Sequence, residues 1–483
     1  MKQLLFTLAA AGISTMLWWL GTGLHPVPVV VMFAPLPVLL VAPRIPAWMA
    51  FAAGFVSWPA GAYGYIPYFT STLEQPPLAT VVLLGITATT YAALIALTRI
   101  LIRRGRLAAA VLALPAGWVT MEYLISLRAP FGAWWSLAYT QVKVLPLIQV
   151  ASLTGWLGVS FLVMLVPATA AVLLATGAPR LPRIRCAAAA FIVLIVVFGF
   201  GFWRLSQPAG EAPVQVGVLA VAQPDDYVPV DSADGRDMIT RVVAEVDRLA
   251  DRGARIVVLP EKSWRATDST LPALSGPLTE VATRRGVHVI AGLLLTRGAT
   301  TTNVAIDYPT GTVYAKHHLV PGLEADLTPG TGVQQIPGTS WALAVCFDLD
   351  FPDLLRANRT AGATMLLVPA LDFGDDHWLH SRMAVLHAVE SGLALARPAQ
   401  LGDLVLSDAQ GRTLASITTN IATTHSALAA LPQPTTPTLY SRLGDWPARP
   451  AALLLAFTLL SAFRRPNSRT NAPAHQTNPV AAR

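Results

Sequence analysis

Glu261, Lys316 and Cys346 each close a separate apolar stretch: RIVVLPE (255–261), GTVYAK (311–316) and WALAVC (341–346). Each stretch reads as a strand, and strand ends are where side chains from distant sequence meet over one pocket. A cysteine reacts as its thiolate, which needs a base or a positive neighbour at neutral pH. A buried carboxylate can take the thiol proton. A lysine can hold both the thiolate and the oxyanion of a tetrahedral intermediate. The three groups together suffice for acyl transfer through a thioester. Singly, each has a bland reading. A lone buried cysteine is usually a small hydrophobe, a glutamate can be a helix N-terminal acid, and a lysine a solvated strand end. The joint order at strand ends favours the chemical reading.

The segment from 212 to about 435 must position these groups. VQVGVLAVAQ (214–223) reads as a buried strand and MITRVVAEVDRLADRG (238–253) as an amphipathic helix closed by Gly253. ARIVVLPE, VHVIAGLLL, TNVAIDY, TVYAKHHL, WALAVCF and ATMLLVPAL follow as strands, mostly continuous apolar runs that suit a sheet covered on both faces. A helix at 376–391 completes the alternation, so 212–435 is an α/β domain large enough to bury its own core.

The rest of the 483-residue chain is different. It is 54% hydrophobic and 13% charged overall, against about a quarter charged in soluble domains, which predicts an α-helical transmembrane bundle. Apolar runs of spanning length lie near 4–23, 27–43, 47–67, 77–98, 107–126, 152–176 and 186–203. They make residues 1–205 an N-terminal bundle of about seven helices. A shorter run at 450–463 places a last helix within 446–465. Residues 466–483 are polar, rich in Asn, Ala and Pro, and read as a disordered tail. With the N-terminus inside and the spans alternating, Lys2, Arg44, Arg99, Arg103, Arg104, Arg106, Arg180, Arg183, Arg185, Arg464 and Arg465 fall on the cytoplasmic side. The opposite short segments carry only Arg128, Lys143, Arg204, Arg442 and Arg449. That asymmetry puts the α/β domain outside the cytoplasm. It also gives the net charge of +7 a topological meaning, so no nucleic-acid partner is expected. Glu122 lies within the fifth span and is expected to pair with Arg128; Trp134 and Trp135 suit an interfacial belt.

The only two cysteines are Cys186 and Cys346. Cys186 opens an apolar run, so no disulfide is expected. There is no CxxC or Cys/His cluster, and the adjacent His317 and His318 do not converge easily on one ion, so neither metal nor cofactor is expected.

The segments LPE, YAKHHLVPG and AVCFDLDFP resemble the three signature segments of the nitrilase, or carbon–nitrogen hydrolase, superfamily. The resemblance implies an α-β-β-α sandwich with a Glu261-Lys316-Cys346 triad. The multi-span bundle, the outer domain and the closing span together resemble the apolipoprotein N-acyltransferases, as does RAPFGAWWSLAYTQ (128–141). This resemblance implies a bacterial inner membrane protein with its catalytic domain on the periplasmic side. It implies a phospholipid as acyl donor and a diacylated apolipoprotein as acceptor. KHHLVPGLEADLTPG places Glu324 where that family has a second glutamate, here expected beside the thiol as an orienting acid. The sequence departs from the family at the nucleophile, Cys346-Phe347-Asp348 in place of Cys-Tyr-Glu, and in the lysine segment, Pro321-Gly322-Leu323-Glu324 in place of Pro-Phe-Gly-Glu. It departs again at Pro369-Ala370-Leu371-Asp372-Phe373. Asp348 and Phe347 are supporting candidates, and Phe373 and Trp378 are candidates to cover the pocket and touch lipid. Hydrolysis, with water as acceptor, uses the same triad and stays open as the alternative.

Overall fold

The computed structural model describes residues 1–224 and 227–463; the expected tail 466–483, with Arg464 and Arg465, lies outside the described residues. Among the described residues, five helices are long and apolar enough to cross a membrane: Lys2–Gly21, Pro77–Arg103, Leu107–Ser126, Ala151–Leu173 and Arg180–Ser206. The two of 27 residues reach about 40 Å at 1.5 Å per residue, more than the roughly 30 Å hydrocarbon core. Ala448–Phe463 is shorter and packs on Leu107–Ser126 and Pro77–Arg103.

The expected span at 27–43 is a shorter apolar helix, Val30–Arg44. It runs as a 3-10 turn at Val30–Phe33, an α-helical stretch at Leu36–Val41 and a second 3-10 turn at Ala42–Arg44. Pro35, Pro37 and Pro43 each lack an amide donor, which makes its hydrogen bonding irregular. The span expected at 47–67 is helical over Ala47–Gly61 and then passes through tighter and wider turns to a π-helical stretch at Tyr68–Thr72.

The remaining chain builds two sheets face to face. In the first, Glu211–Ala220 pairs antiparallel with His425–Gln433 and parallel with Ile256–Val258, which pairs with His288–Arg297. Thr300–Tyr308 and Thr312–Ala315 extend from that strand as antiparallel neighbours. The second sheet runs from Thr413–Thr418 through Asp403–Ser407, Ala394–Gln400, Met365–Leu367 and Trp341–Leu343 to Gln334–Gln335. Alternate residues of each strand face opposite ways. Val216, Ile256, Ile290, Leu343, Met365 and Ala396 form one core between the sheets. Val257 and Val289 turn outward onto the helices Ala233–Asp251 and Pro272–Arg285. On the other side Leu366 and Leu395 turn onto His377–Ser391. The layers are helix, sheet, sheet, helix.

The helix His377–Ser391 does not face water. Its Val385 and Val389 share a core with Ile148, Trp156 and Leu157 of the bundle. Polar bonds fix the seam: Tyr139 Oη to His387 Nε2 at 2.9 Å, Gln149 Nε2 to the Gln410 carbonyl at 2.9 Å, and the Ala133 amide to the Asp350 carbonyl at 2.9 Å. At Gly132, φ is +54°, and a Cβ there would stand 2.4 Å from the Asp350 oxygen. Only glycine allows this approach.

Candidate active site

Each of the three sequence candidates lies just beyond a strand. Glu261 follows Ile256–Val258 by three residues, Lys316 follows Thr312–Ala315 directly, and Cys346 heads a 3-10 turn three residues after Trp341–Leu343. The parallel and antiparallel pairing brings these ends to one side of the two sheets, over a cleft of about 160 Å³.

Lys316 Nζ lies 2.8 Å from Glu261 Oε1 and 2.8 Å from Glu324 Oε2. Asn303 Nδ2 donates to both carboxylates, at 2.6 Å to Glu261 and 2.9 Å to Glu324. Both of the bonds to Glu261 fall on Oε1, which leaves Oε2 available to a further donor. Glu324 also accepts from the Val320 amide at 2.9 Å and pairs with Lys262. Gly292 makes room for Glu261, since a Cβ there would lie 2.4 Å from the Pro260 oxygen and 2.7 Å from Glu261 Cα.

Cys346 has φ of +43°, a left-handed conformation that a side-chain-bearing residue holds only when its surroundings impose it. Its amide is bonded to the Pro369 carbonyl at 3.0 Å, and its thiol to the Leu371 carbonyl at 3.4 Å. The next amide, Phe347 N–H, has no acceptor among the described residues. Asp348 is fully buried and ties the lysine and cysteine segments together. It accepts from Tyr314 Oη at 2.7 Å, the His318 amide at 2.8 Å and the Val345 amide at 3.0 Å.

The electrostatics divide the roles. Burial pushes the Cys346 thiol well above its ordinary value; Glu261 adds to this, and Lys316 and Arg397 oppose it. The resting nucleophile is therefore a thiol that needs a base. For Lys316, burial acts to lower the pKa, but Glu261 and Glu324 outweigh it and hold the ammonium well above its usual range. Burial would also raise Glu324, yet Lys316 and Lys262 bring it down to about 2. The site thus holds a fixed cation beside a neutral thiol.

The structure places some supporting candidates differently. Glu324 touches Lys316 rather than the thiol, because the Val320–Glu324 turn points it at the two lysines. Phe347 and Phe373 line the cleft, whereas Asp348 is a buried tie. Trp378 is not among the residues lining the cleft; its ring lies 5.5 Å from Lys143 Nζ. Glu122 does not pair with Arg128. It accepts from Trp118 Nε1 at 2.8 Å and the Leu137 amide at 2.8 Å, donors that can satisfy a buried carboxylate without a cation. Trp134 is buried rather than interfacial, stacked on Tyr68 with centroids 5.5 Å apart, and it lines the cleft with Tyr68 and Phe131.

Sequence reasoning passed over Asn303, Lys262 and His380. Asn303 sits in TNVAIDY, read only as a strand; a polar residue inside an apolar run was the available signal. His380 lines the cleft and lies 3.0 Å from Asp376, which accepts from Tyr68 Oη at 2.6 Å. Burial would lower the imidazole, but Asp376 and Asp372 hold it well above its ordinary range. Arg397 Nη1 meets Asp372 at 3.0 Å behind the nucleophile.

Comparison with known proteins agrees with this architecture. The carbon–nitrogen hydrolase family model matches residues 218–440, so the sandwich with its strand-end cleft is a nitrilase-superfamily domain, here set on a membrane helical bundle. The apolipoprotein N-acyltransferase N-terminal domain matches residues 11–169. Relatives bearing the name apolipoprotein N-acyltransferase include one from Geobacter metallireducens, 26% identical over 79% of this chain and 81% of its own length. Another, from Bradyrhizobium diazoefficiens, is 29% identical over 74% of this chain and 73% of its own. An amidase from Nesterenkonia sp. superposes with a TM-score of 0.37 at 20% identity, covering 46% of this chain and 91% of that one. The chain belongs to the apolipoprotein N-acyltransferase family.

Proposed function

We propose that this membrane protein moves an acyl chain from a phospholipid, through a Cys346 thioester, to the α-amine of a diacylglyceryl-cysteine lipoprotein. The observation that carries the reading is the wall of the cleft. The Glu261, Lys316 and Cys346 side reacts, and the facing side is Tyr68, Leu73, Phe131 and Trp134 of the membrane bundle. Phe131 also lines an apolar groove of about 630 Å³ between Pro77–Arg103, Leu107–Ser126 and Leu455. Two bilayer-anchored substrates confined beside one cleft gain effective concentration.

Glu261 Oε2 takes the proton of Cys346, and the thiolate attacks the ester carbonyl of the donor. Lys316 and the Phe347 amide hold the oxyanion. As the tetrahedral intermediate collapses, the C–O bond breaks and the leaving alkoxide takes the proton from Glu261, giving lysophospholipid and a thioester. The acceptor amine then attacks the thioester and gives its proton to Glu261. The C–S bond breaks, and that proton returns to sulfur.

Charge and placement support one side of the membrane for the catalytic domain. Gln75, at one end of Pro77–Arg103, donates to the Pro321 carbonyl of the cleft loop at 2.8 Å. Arg99, near the other end, donates to the Ala42 and Ile45 carbonyls. The arginine-rich ends are thus remote from the catalytic domain, which supports a periplasmic domain on a bacterial inner membrane. The test is incubation of purified protein with phospholipid and a diacylated lipopeptide, read by mass spectrometry. Triacylated product, absent with Cys346→Ala, is the expected result. Free fatty acid alone would assign the site to hydrolysis.

A further inference from the structure

Lys262 follows the proposed base directly and sits at φ of +50°, a conformation unusual for any residue with a side chain. That backbone turns its ammonium back into the cleft, where the side chain is 11% exposed and pairs with Glu324 Oε1. The opposite oxygen, Oε2, receives Lys316 Nζ at 2.8 Å. Glu324 is therefore gripped from both sides, and Glu261 holds the other flank of Lys316.

The charge count gives this geometry a consequence. Glu261 and Glu324, Lys262 and Lys316 line one cleft with the thiol, so the two carboxylates and two ammoniums balance before any proton moves. Without Lys262, two carboxylates would share one lysine, and the field of Lys316 at the sulfur would be cancelled. Opposite charges within about 4–6 Å favour the ionised form of a group, and like charges disfavour it. We propose that Lys262 is a positioning residue of the acyl-transfer site: by neutralising Glu324 it leaves the charge of Lys316 for the Cys346 thiolate and the oxyanion. The Tyr227 ring, 5.8 Å from Lys262 Nζ, gives the ammonium a second contact. Besides Glu261 and Lys316, the charged groups acting on the thiol are Arg397 and Asp372, with His380 in the cleft wall; none of these three touches Glu324.

The proposal rests on the acyl-transfer reading, but its first readout does not. The rate of iodoacetamide alkylation at Cys346, followed against pH by peptide mass so that Cys186 is counted separately, reports the thiolate fraction. Lys262→Met should raise the apparent pKa by about one unit, making alkylation about tenfold slower at neutral pH. In the lipopeptide assay kcat should fall by a similar factor with the KM for phospholipid little changed, and Lys262→Arg should restore both. Lys262→Gln replaces the methionine variant if that one does not purify folded. An unchanged alkylation profile overturns the proposal. So does a rise in KM alone, which would make Lys262 a donor-binding group, or equal damage in Lys262→Arg, which would make it structural. A shifted alkylation profile in a protein whose wild type forms no triacylated product would keep the positioning role and reject the acyl-transfer reading.

Discussion

Replacing Glu261 by Gln tests the assignment of the base most directly. Gln keeps an acceptor oxygen for Lys316 Nζ and Asn303 Nδ2, which both bond Oε1 in the wild type. It loses the basic Oε2. Burial is the largest cause pushing the thiol up and persists in the variant, so its thiol stays protonated at neutral pH with no carboxylate at position 261 to take the proton. General base catalysis contributes roughly 10²–10⁴-fold, equivalent to about 3–5 kcal/mol in the barrier at 1.36 kcal/mol per decade. The assay is single-turnover acylation of Cys346 by phospholipid, followed by intact mass. Wild type should vary little through neutral pH. Glu261→Gln should be slower by about two to four decades at pH 7. It should recover about tenfold per pH unit as thiolate forms, up to the thiol pKa. A near-wild-type rate, or a slow rate that does not change with pH, would refute the base assignment.

Gly292→Ala should cut acyl transfer by more than about tenfold, since its Cβ would stand 2.7 Å from Glu261 Cα and small misplacements of a reacting group cost such factors; kcat in the lipopeptide assay checks it. Arg397→Met should lower stability by about 3–5 kcal/mol, because it strands the buried Asp372; thermal unfolding in detergent reads it, and adding Asp372→Asn should recover part of the loss. Glu324 has a folded pKa of about 2 against an ordinary value of about 4.3. Its contribution is present above about pH 4.3 and is lost as pH falls towards 2, so Glu324→Gln should flatten the fall in melting temperature across that window. A reporter active only outside the cytoplasm should be on when fused near residue 300 and off near residue 103; the reverse would overturn the topology.

Local sequence carried the strands through the lysine and cysteine segments, because continuous apolar runs bounded by turn residues have few alternatives. It carried the long helices too, since spanning length and hydropathy are local properties. It missed the strands Ala394–Gln400, Thr413–Thr418 and His425–Gln433. ALARPAQ holds an arginine and a proline, and only the second sheet supplies the Asp372 that lets Arg397 be buried there. Tertiary packing overrides local preference at such positions. Prolines at 35, 37 and 43 signal the shortened, irregular second helix, but hydropathy alone does not register a missing amide donor.

The sequence by itself determined which residues could do the chemistry, since thiol, carboxylate and ammonium are fixed by residue type and their strand ends by local pattern. It also determined that much of the chain belongs in a membrane and which ends carry the positive charge. Only the tertiary structure decided who touches whom. It set Glu324 between two lysines instead of beside the thiol, gave Glu122 to Trp118 and a backbone amide instead of Arg128, and turned Trp134 from a surface belt into a wall of the cleft. Those outcomes depend on distances between residues up to a few hundred positions apart. Burial, which raises the thiol, and the two carboxylates that hold the Lys316 ammonium up against it, act only once the sheets and the bundle have closed around the site.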